Sequence, residues 1–232
     1  MDPADAAVDP AVDPAVDAPT MRPRIEGERE REILAAALTV LAEVGYDRLT
    51  MDAVAHVARA SKATLYRRWN TKLALIIDAL KATKDTTNAP DTGSLREDLL
   101  ASCCSPGGIT DRRSVDTMAS VLTAMTRDPE FAEAFRREII GPKIALTREI
   151  YARAQARGEI RADVDLDLVG PALAGILLHQ HYMLGDFPDK AVIGRVLDQI
   201  ILPAVRPHAS EPATPYPTTA EPSASNQSGS DQ

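Results

Sequence analysis

The chain has 232 residues and carries 26 Lys and Arg against 34 Asp and Glu, a formal net charge of −8. Its two cysteines, Cys103 and Cys104, are adjacent, a spacing that disfavours both a structural disulfide and a C-x-x-C metal site. A basic, apolar leader and a run of ~20 apolar residues are both absent from the sequence. These features exclude secreted and membrane-spanning classes, and we expect a cytoplasmic protein.

The two ends of the chain differ in composition from its centre. Residues 1–21 are a near-repeat of Ala, Val, Asp and Pro, and residues 207–232 consist largely of Pro, Ser, Thr and Ala. Neither stretch can bury enough apolar surface to offset the entropy of ordering its backbone. We expect a disordered acidic arm at 1–21, a disordered tail at 207–232, and two folded domains, 22–84 and 85–206, joined by a polar segment at 85–94.

The first folded domain has the periodicity of short helices. Apolar residues recur at steps of three and four along 28–44, and Gly45 predicts the end of that helix. Hydroxyl residues then stand at three predicted helix starts, Thr50, Ser61 and Thr71, where their side chains would cap free backbone amides. The pattern predicts a helix of about two turns after Thr50, a third through Trp69 and a fourth over 72–84.

The second folded domain is also helical by pattern. Helices are predicted over 95–104, 115–127, 128–158, 165–185 and 189–205, with a kink or break at Gly141-Pro142 because proline lacks the amide that a helix interior needs. No segment shows sustained two-residue alternation. The fold class is therefore all-α, with an N-terminal three-helix head that contains a helix-turn-helix and a helical bundle behind it.

Positive charge is concentrated in the head. Residues 22–84 carry 12 Lys and Arg against 8 Asp and Glu, and the window 56–77 carries five cations and no acid. A local cationic patch, rather than the charge of the whole chain, is what contact with phosphates requires.

The predicted third helix has two chemically distinct faces. At 100° per residue Leu65 and Trp69 share one face, and Ala63 and Arg67 point the opposite way, flanked by Thr64 and Tyr66. The first face can pack on the preceding helix. The second offers hydroxyl, aromatic and guanidinium groups that match base edges and phosphates in a major groove, where Arg67 could read a guanine.

The order of these signals resembles the TetR-type bacterial transcriptional regulators. It comprises Gly45-Tyr46, the Thr50-capped short helix, a three-residue turn, then Ser61 to Trp69 and Thr71-Lys72. The resemblance implies a homodimer that binds operator DNA, with the last two helices forming the interface. The DNA-binding residues that it implies are Thr50, Ser61, Lys62, Ala63, Thr64, Tyr66, Arg67, Arg68 and Lys72.

Two positions depart from the pattern of that family. Arg59 stands at the turn position usually filled by glycine, and a positive φ there would cost roughly 1 kcal/mol. Ala63 stands where the family usually has glycine facing the groove, which could hold the helix slightly farther from the bases.

The region 95–206 shows no catalytic pattern, and we expect no enzymatic activity, no cofactor and no metal site. His179 and His181 are two residues apart, so they would point in different directions on a helix. Apolar and aromatic residues could instead line a pocket for a small effector, although such a stripe is also typical of ordinary core. The pocket candidates are Met118, Leu122, Phe131, Phe135, Tyr151, His179 and Tyr182.

These expectations combine into one functional hypothesis. Two heads of a homodimer, joined through helices 165–185 and 189–205, would bind successive major grooves of a palindromic operator, and a small apolar effector would release them. Three alternatives stay open at this level. The helical domain could be an enzyme or carrier with a basic docking head, and the DNA-binding protein could be an activator or a non-specific architectural protein.

Overall fold

A computed structural model of the chain describes residues 23–83 and 88–207. The predicted acidic arm and almost all of the predicted tail lie outside these residues. All of the regular secondary structure in the described part is helical. The α-helices are α1 (Pro23–Arg48), α2 (Met51–Val57), α3 (Lys62–Arg68), α4 (Lys72–Ala82), α5 (Leu95–Cys104), α6 (Arg112–Arg127), α7 (Pro129–Phe135), α8 (Gly141–Ala156), α9 (Leu166–His179), α10 (Lys190–Val196) and α11 (Leu202–Val205). The all-α prediction is confirmed.

The helix starts in the head follow the capping residues seen in the sequence. The side chains of Thr50, Ser61 and Thr71 each accept a hydrogen bond from the backbone amide three residues later. Gly45 has φ 75° and ψ 165° inside α1, a conformation that glycine adopts without steric cost. It therefore interrupts α1, as predicted, and turns the chain towards α2.

The third helix is shorter than its pattern indicated. Residue Trp69 is the extended C-cap of α3 rather than its last helical residue, with φ −124° and ψ 115°. Its indole stays in the core and donates from Nε1 to a carboxylate oxygen of Asp78 at 3.0 Å. That bond fixes the end of α3 against α4.

Of the kink or break predicted at Gly141-Pro142, the break is wrong. Gly141 has helical dihedral angles, φ −55° and ψ −53°, and the backbone instead widens into a π-helical turn at Arg136–Ile140 directly before α8. Proline cannot donate to the carbonyl four residues earlier, and a widened turn absorbs such a missing bond without leaving helical geometry. The same arrangement recurs at Leu197–Ile201, a π-helical turn that ends two residues before Pro203 of α11.

Buried residues form two clusters. The first includes the apolar faces of α1 to α4 and continues into α6 and α7 through Val121, Phe131 and Phe135. The second joins α5, α8, α9 and the helices of 190–205. Because α6 packs along α1, α6 and α7 share a core with the head, whereas α5 belongs to the second cluster.

Candidate nucleic-acid interface and ligand cavities

The helix α3 is held to the head by one face. Its N-terminus is capped by Ser61, whose Oγ accepts from the amide of Thr64 at 3.1 Å. Leu65 and Trp69 are buried in the first core cluster. These anchors lie on the face that the sequence assigned to packing.

The opposite face of α3 is open. Ala63 and Arg67 are exposed, and Tyr66 keeps 50% of its surface accessible. Arg67 has no hydrogen-bond or ion-pair partner among the described residues. Thr64 is half-buried, and its hydroxyl lies 2.8 Å from that of Ser61. The exposed groups are donors and flat surfaces of the kind that contact DNA.

The other predicted cations already have partners. Lys62 forms an ion pair of 2.6 Å with Asp52, and Arg68 one of 3.0 Å with Glu30. Each acid raises the pKa of its partner, mainly by accepting a hydrogen bond from it. All four side chains are at least one-third exposed, so these pairs are weak and exchangeable.

Lys72 is in a different environment. It is half-buried, and its Nζ donates to the carbonyl oxygen of Tyr46 at 3.1 Å. The same ammonium lies 4.3 Å from the centre of the Tyr46 ring. Burial, followed by Asp128 and Glu130, raises the pKa of Tyr46 to about 12, so the ring stays neutral and available to the cation. Lys72 thus ties α4 to the end of α1.

The turn between α2 and α3 has the strained backbone expected from the sequence. Arg59 has φ 50°, and within the described chain every other positive φ belongs to glycine. The carbonyl oxygen of Arg59 accepts a 2.6 Å hydrogen bond from the guanidinium of Arg29 on α1. The contact fixes the turn that orients α3.

Two apolar cavities lie behind the head. The front cavity, of about 260 Å³, lies between α1, α4, α6 and α9 and reaches the head at Leu38 and Leu80. The rear cavity, of about 470 Å³, lies between α5, α8 and α9. They share four lining residues: Ile109, Ile140, Lys143 and Ala174. Cavities of a few hundred Å³ with few polar groups are typical of small-molecule sites.

The seven predicted pocket residues divide between these cavities and other places. Met118, Leu122 and Phe135 line the front cavity, and Tyr151 lines the rear cavity. The other three, Phe131, His179 and Tyr182, line neither.

Each of those three residues has another environment. Phe131 is buried against the ring of Tyr46, with a centroid separation of 4.5 Å. His179 is exposed at the end of α9. The hydroxyl of Tyr182 donates to the carbonyl of Val115 at 2.8 Å, so this side chain braces α6.

Several cavity residues were missed by the sequence reasoning. Leu38 and Leu80 belong to helices of the head, and their patterns predicted only core. Lys143 follows Pro142, where the sequence predicted a kink or break, so Lys143 was not placed on a continuous helix with Thr147 and Tyr151. The signal that could have found it is the spacing of Lys143, Thr147 and Tyr151, which puts three polar side chains on one face of α8.

Among the described residues no helix is both long and apolar enough to cross a membrane. Within the same ranges no group of His, Cys, Asp and Glu residues could hold a metal ion.

Two regions of the chain match models of known protein families. Residues 33–79 match "Bacterial regulatory proteins, tetR family", and residues 89–200 match "Tetracyclin repressor-like, C-terminal domain". A DNA-binding transcriptional repressor TetR from Mycobacteroides abscessus is 38% identical over 187 residues, which are 78% of this chain and 96% of that relative. The HTH-type transcriptional regulator AqdR from Rhodococcus erythropolis is 31% identical over 158 residues, 67% of this chain and 76% of that relative.

A solved structure is similar as well. The crystal structure of the TetR family transcription regulator SCO0332 superposes with a TM-score of 0.59 at 31% sequence identity, and the match covers 78% of this chain and 100% of that one. The shared fold includes the head and the helices behind it.

Proposed function

The chain belongs to the TetR family of bacterial transcriptional regulators, and we propose that it is a homodimeric repressor that a small apolar effector releases from a palindromic operator. It is a DNA-binding regulator by family. The homodimer, the operator symmetry, the effector, the cytoplasmic location and the residues that contact DNA are the parts that we propose.

The open face of α3 carries this proposal. Tyr66 and Arg67 are exposed on a short helix whose opposite face is buried through Leu65 and Trp69. A helix supported in this way can enter a major groove without unfolding any part of the head. In this role Arg67 donates to a guanine and Tyr66 contacts a phosphate or a thymine methyl, while the methyl group of Ala63 keeps the helix slightly farther from the bases than glycine would.

The remaining head residues serve as phosphate contacts. The hydroxyls of Thr50 and Ser61 accept from backbone amides, and each can still donate its own proton to a phosphate oxygen. Lys62 and Arg68 can exchange their exposed carboxylate partners for phosphates at small cost. Thr64 and Lys72 are the remaining proposed phosphate contacts.

Exposed apolar side chains on the last helices support dimerisation. Leu168 on α9 and Met183 after it are 71% and 70% exposed, and Leu184 and Ile200 are also exposed. They belong to the segments 165–185 and 189–205 that the sequence assigned to the interface. Exposed large apolar side chains on neighbouring segments are typical of a protein–protein contact, and a two-fold axis would bury the same side chains of each protomer.

The front cavity supports release by a ligand. Leu38 of α1 and Leu80 of α4 line it together with Met118 and Leu122 of α6, so a molecule bound there contacts the head directly. A ligand that binds better to a conformer with another head spacing lowers DNA affinity by its differential affinity for the two conformers.

Selection of genomic fragments with the purified full-length chain, followed by fluorescence anisotropy on the best fragment, tests the DNA-binding role. We expect Arg67→Ala to weaken specific binding by about 5- to 100-fold, because a bidentate base contact contributes about 1–3 kcal/mol. Arg136→Ala removes another exposed arginine, on the π-helical turn before α8, and should change affinity less than about two-fold.

The same experiment separates the alternatives. An activator or repressor prefers its site over random DNA by about 10³-fold or more, whereas an architectural protein does not. Equal affinity of Arg67→Ala and the parent for a selected operator would contradict the groove-reading role.

A further inference from the structure

The rear cavity has one polar wall. Lys143, Thr147 and Tyr151 of α8 all line it, and residues four apart lie on the same helix face. Eight residues of α-helix span about 12 Å, so Lys143 and Tyr151 stand two turns apart along the cavity. The rest of the lining is largely apolar, with Leu99 and leucines of α9, and its charged residues Arg148 and Asp167 form an ion pair with each other.

Tyr151 brings an unpaired hydroxyl to this wall. The residue is 1% exposed, and its hydroxyl has no hydrogen-bond partner. Buried polar atoms are almost always paired in folded proteins. Burial, with a smaller contribution from Cys103, raises the pKa of Tyr151 to about 12, so the group is a neutral donor at physiological pH. An acceptor brought by a ligand would satisfy it.

Lys143 brings an unpaired charge. It is half-buried at the junction of the two cavities and has no hydrogen-bond or ion-pair partner among the residues that the structure describes. Its neighbour Cys103 supplies no negative charge, because burial raises the pKa of that thiol to about 11. Asp167 is the one carboxylate among the described lining residues of the two cavities, and it pairs with Arg148 at 2.6 Å.

These facts discriminate between ligand classes. A cationic ligand would meet Lys143 and find no unpaired carboxylate on the lining. A purely apolar ligand would exclude water from Lys143 and Tyr151 and leave both without partners, which is unfavourable. An acid with an apolar body satisfies the ammonium, and a second oxygen along that body satisfies the phenol.

We infer that the effector is an elongated apolar acid whose acidic group pairs with Lys143 and whose second oxygen, about two helical turns away, accepts a hydrogen bond from Tyr151. The inference rests on the proposed function and refines it: the effector is apolar along its body but acidic at one end, and its acidic end lies at Lys143, which lines the front cavity next to the head as well as the rear cavity.

Isothermal titration calorimetry on the full-length chain without DNA tests this assignment. The probes are ω-hydroxydecanoate, decanoate, decanol and decylamine, which share a ten-carbon chain and differ only in their polar ends. We expect ω-hydroxydecanoate to bind most tightly, decanoate next, and decylamine most weakly. Lys143→Met should weaken both acids by about ten-fold or more, since a charged hydrogen bond is lost, and should change decanol by less than about two-fold.

Tyr151→Phe removes only the hydroxyl. It should reduce the affinity of ω-hydroxydecanoate to that of decanoate and leave decanoate itself unchanged. Lys143→Arg keeps the charge and should retain the preference for acids, which also guards against a Lys143→Met variant that fails to fold. Lys190→Met, at an exposed lysine of α10, is the matched control and should bind all four probes as the parent does.

Three results would overturn the assignment. They are decylamine binding as tightly as decanoate, acid affinities unchanged in Lys143→Met, and no binding of any of the four probes. None of these results depends on operator binding, because the titrations contain no DNA and the DNA-binding role is measured separately with Arg67→Ala. Conversely, a chain that binds the acids but no DNA would refute the proposed function and leave the ligand class intact.

Discussion

The ammonium of Lys72 lies 4.3 Å above the centre of the Tyr46 ring and donates to the carbonyl of the same residue at 3.1 Å. The family resemblance implies that Lys72 contacts DNA. In the structure it also holds the start of α4 against the residue that follows the Gly45 turn. Its side chain therefore has a structural contribution that Arg67, with no partner among the described residues, does not have.

We predict that Lys72→Met lowers the free energy of unfolding by about 1 kcal/mol. The variant loses a cation–π contact and a charged hydrogen bond. The Tyr46 carbonyl still accepts a hydrogen bond from the amide of Leu49 at 3.3 Å, so it is not left without a partner and the loss of stability is limited. Urea unfolding followed by circular dichroism measures the change. Lys62→Met is the control, because both side chains of its ion pair with Asp52 are more than half exposed, and it should leave the free energy of unfolding nearly unchanged. Equal effects of the two variants would contradict the structural role of Lys72.

The turn before α3 gives a second prediction, of opposite sign. Arg59 adopts φ 50°, where a Cβ atom costs roughly 1–2 kcal/mol and glycine has no such strain. Arg59→Gly should therefore raise the free energy of unfolding by about 0.5–1 kcal/mol after the larger entropy of glycine in the unfolded chain is subtracted. Because Arg29 contacts the carbonyl of Arg59 and not its side chain, that bond persists in the variant.

Arg59→Ala is the matched control for this prediction. Alanine removes the guanidinium but keeps the Cβ atom, so its stability should not exceed that of the parent. If Arg59→Ala were as stabilising as Arg59→Gly, the gain would come from loss of the charged side chain and not from relief of backbone strain.

The head could be predicted from sequence because its signals are local. Thr50, Ser61 and Thr71 cap helices through amides three residues away, and the faces of α3 follow from its period. Such features depend on neighbours in the chain, which a pattern records.

The cavities could not be predicted in the same way. The front cavity, for example, is lined by Leu38 of α1, Phe135 of α7 and Ala174 of α9. These residues come together only when the three helices pack against one another. Phe131 illustrates the difficulty. It has the aromatic character of a pocket residue, and only the position of Tyr46 shows that it fills the core instead. Asp98 is a similar case, since its burial depends on Thr92 and Arg157, which hydrogen-bond to its carboxylate.

A third prediction concerns the proposed dimer. We expect the parent chain to elute as a dimer at micromolar concentration in size-exclusion chromatography with light scattering. The double variant with Leu168→Glu and Met183→Glu should raise the dissociation constant by at least about a hundred-fold, because two carboxylates per protomer would be buried without partners.

Val57→Glu is the control for the dimer prediction. Val57 is also an exposed apolar residue, but it lies on α2 of the head, away from the proposed interface. Its glutamate variant should remain dimeric. A parent chain that is monomeric at micromolar concentration would refute the interface assignment.

A fourth prediction follows from the buried thiol of Cys103. Burial raises its pKa from 9.0 to about 11, so in this range the folded chain holds a proton that the unfolded chain releases. Unfolding is then favoured by rising pH, and the stabilisation that is complete below about pH 9 is lost progressively up to about pH 11. The effect is about 1–2 kcal/mol, since the residue is half-buried rather than fully enclosed.

The comparison of the parent with Cys103→Ala isolates this effect. Alanine loses the packing of the sulfur equally at every pH. Tyr46 titrates alike in both proteins, and Cys103 makes only the smaller contribution to the raised pKa of Tyr151. The difference between the two unfolding free energies should therefore shrink as the pH is raised from about 9 to about 11. A difference that stays constant across this interval would show that the thiol has the same proton affinity in both states, and burial at this position would then not govern its ionisation.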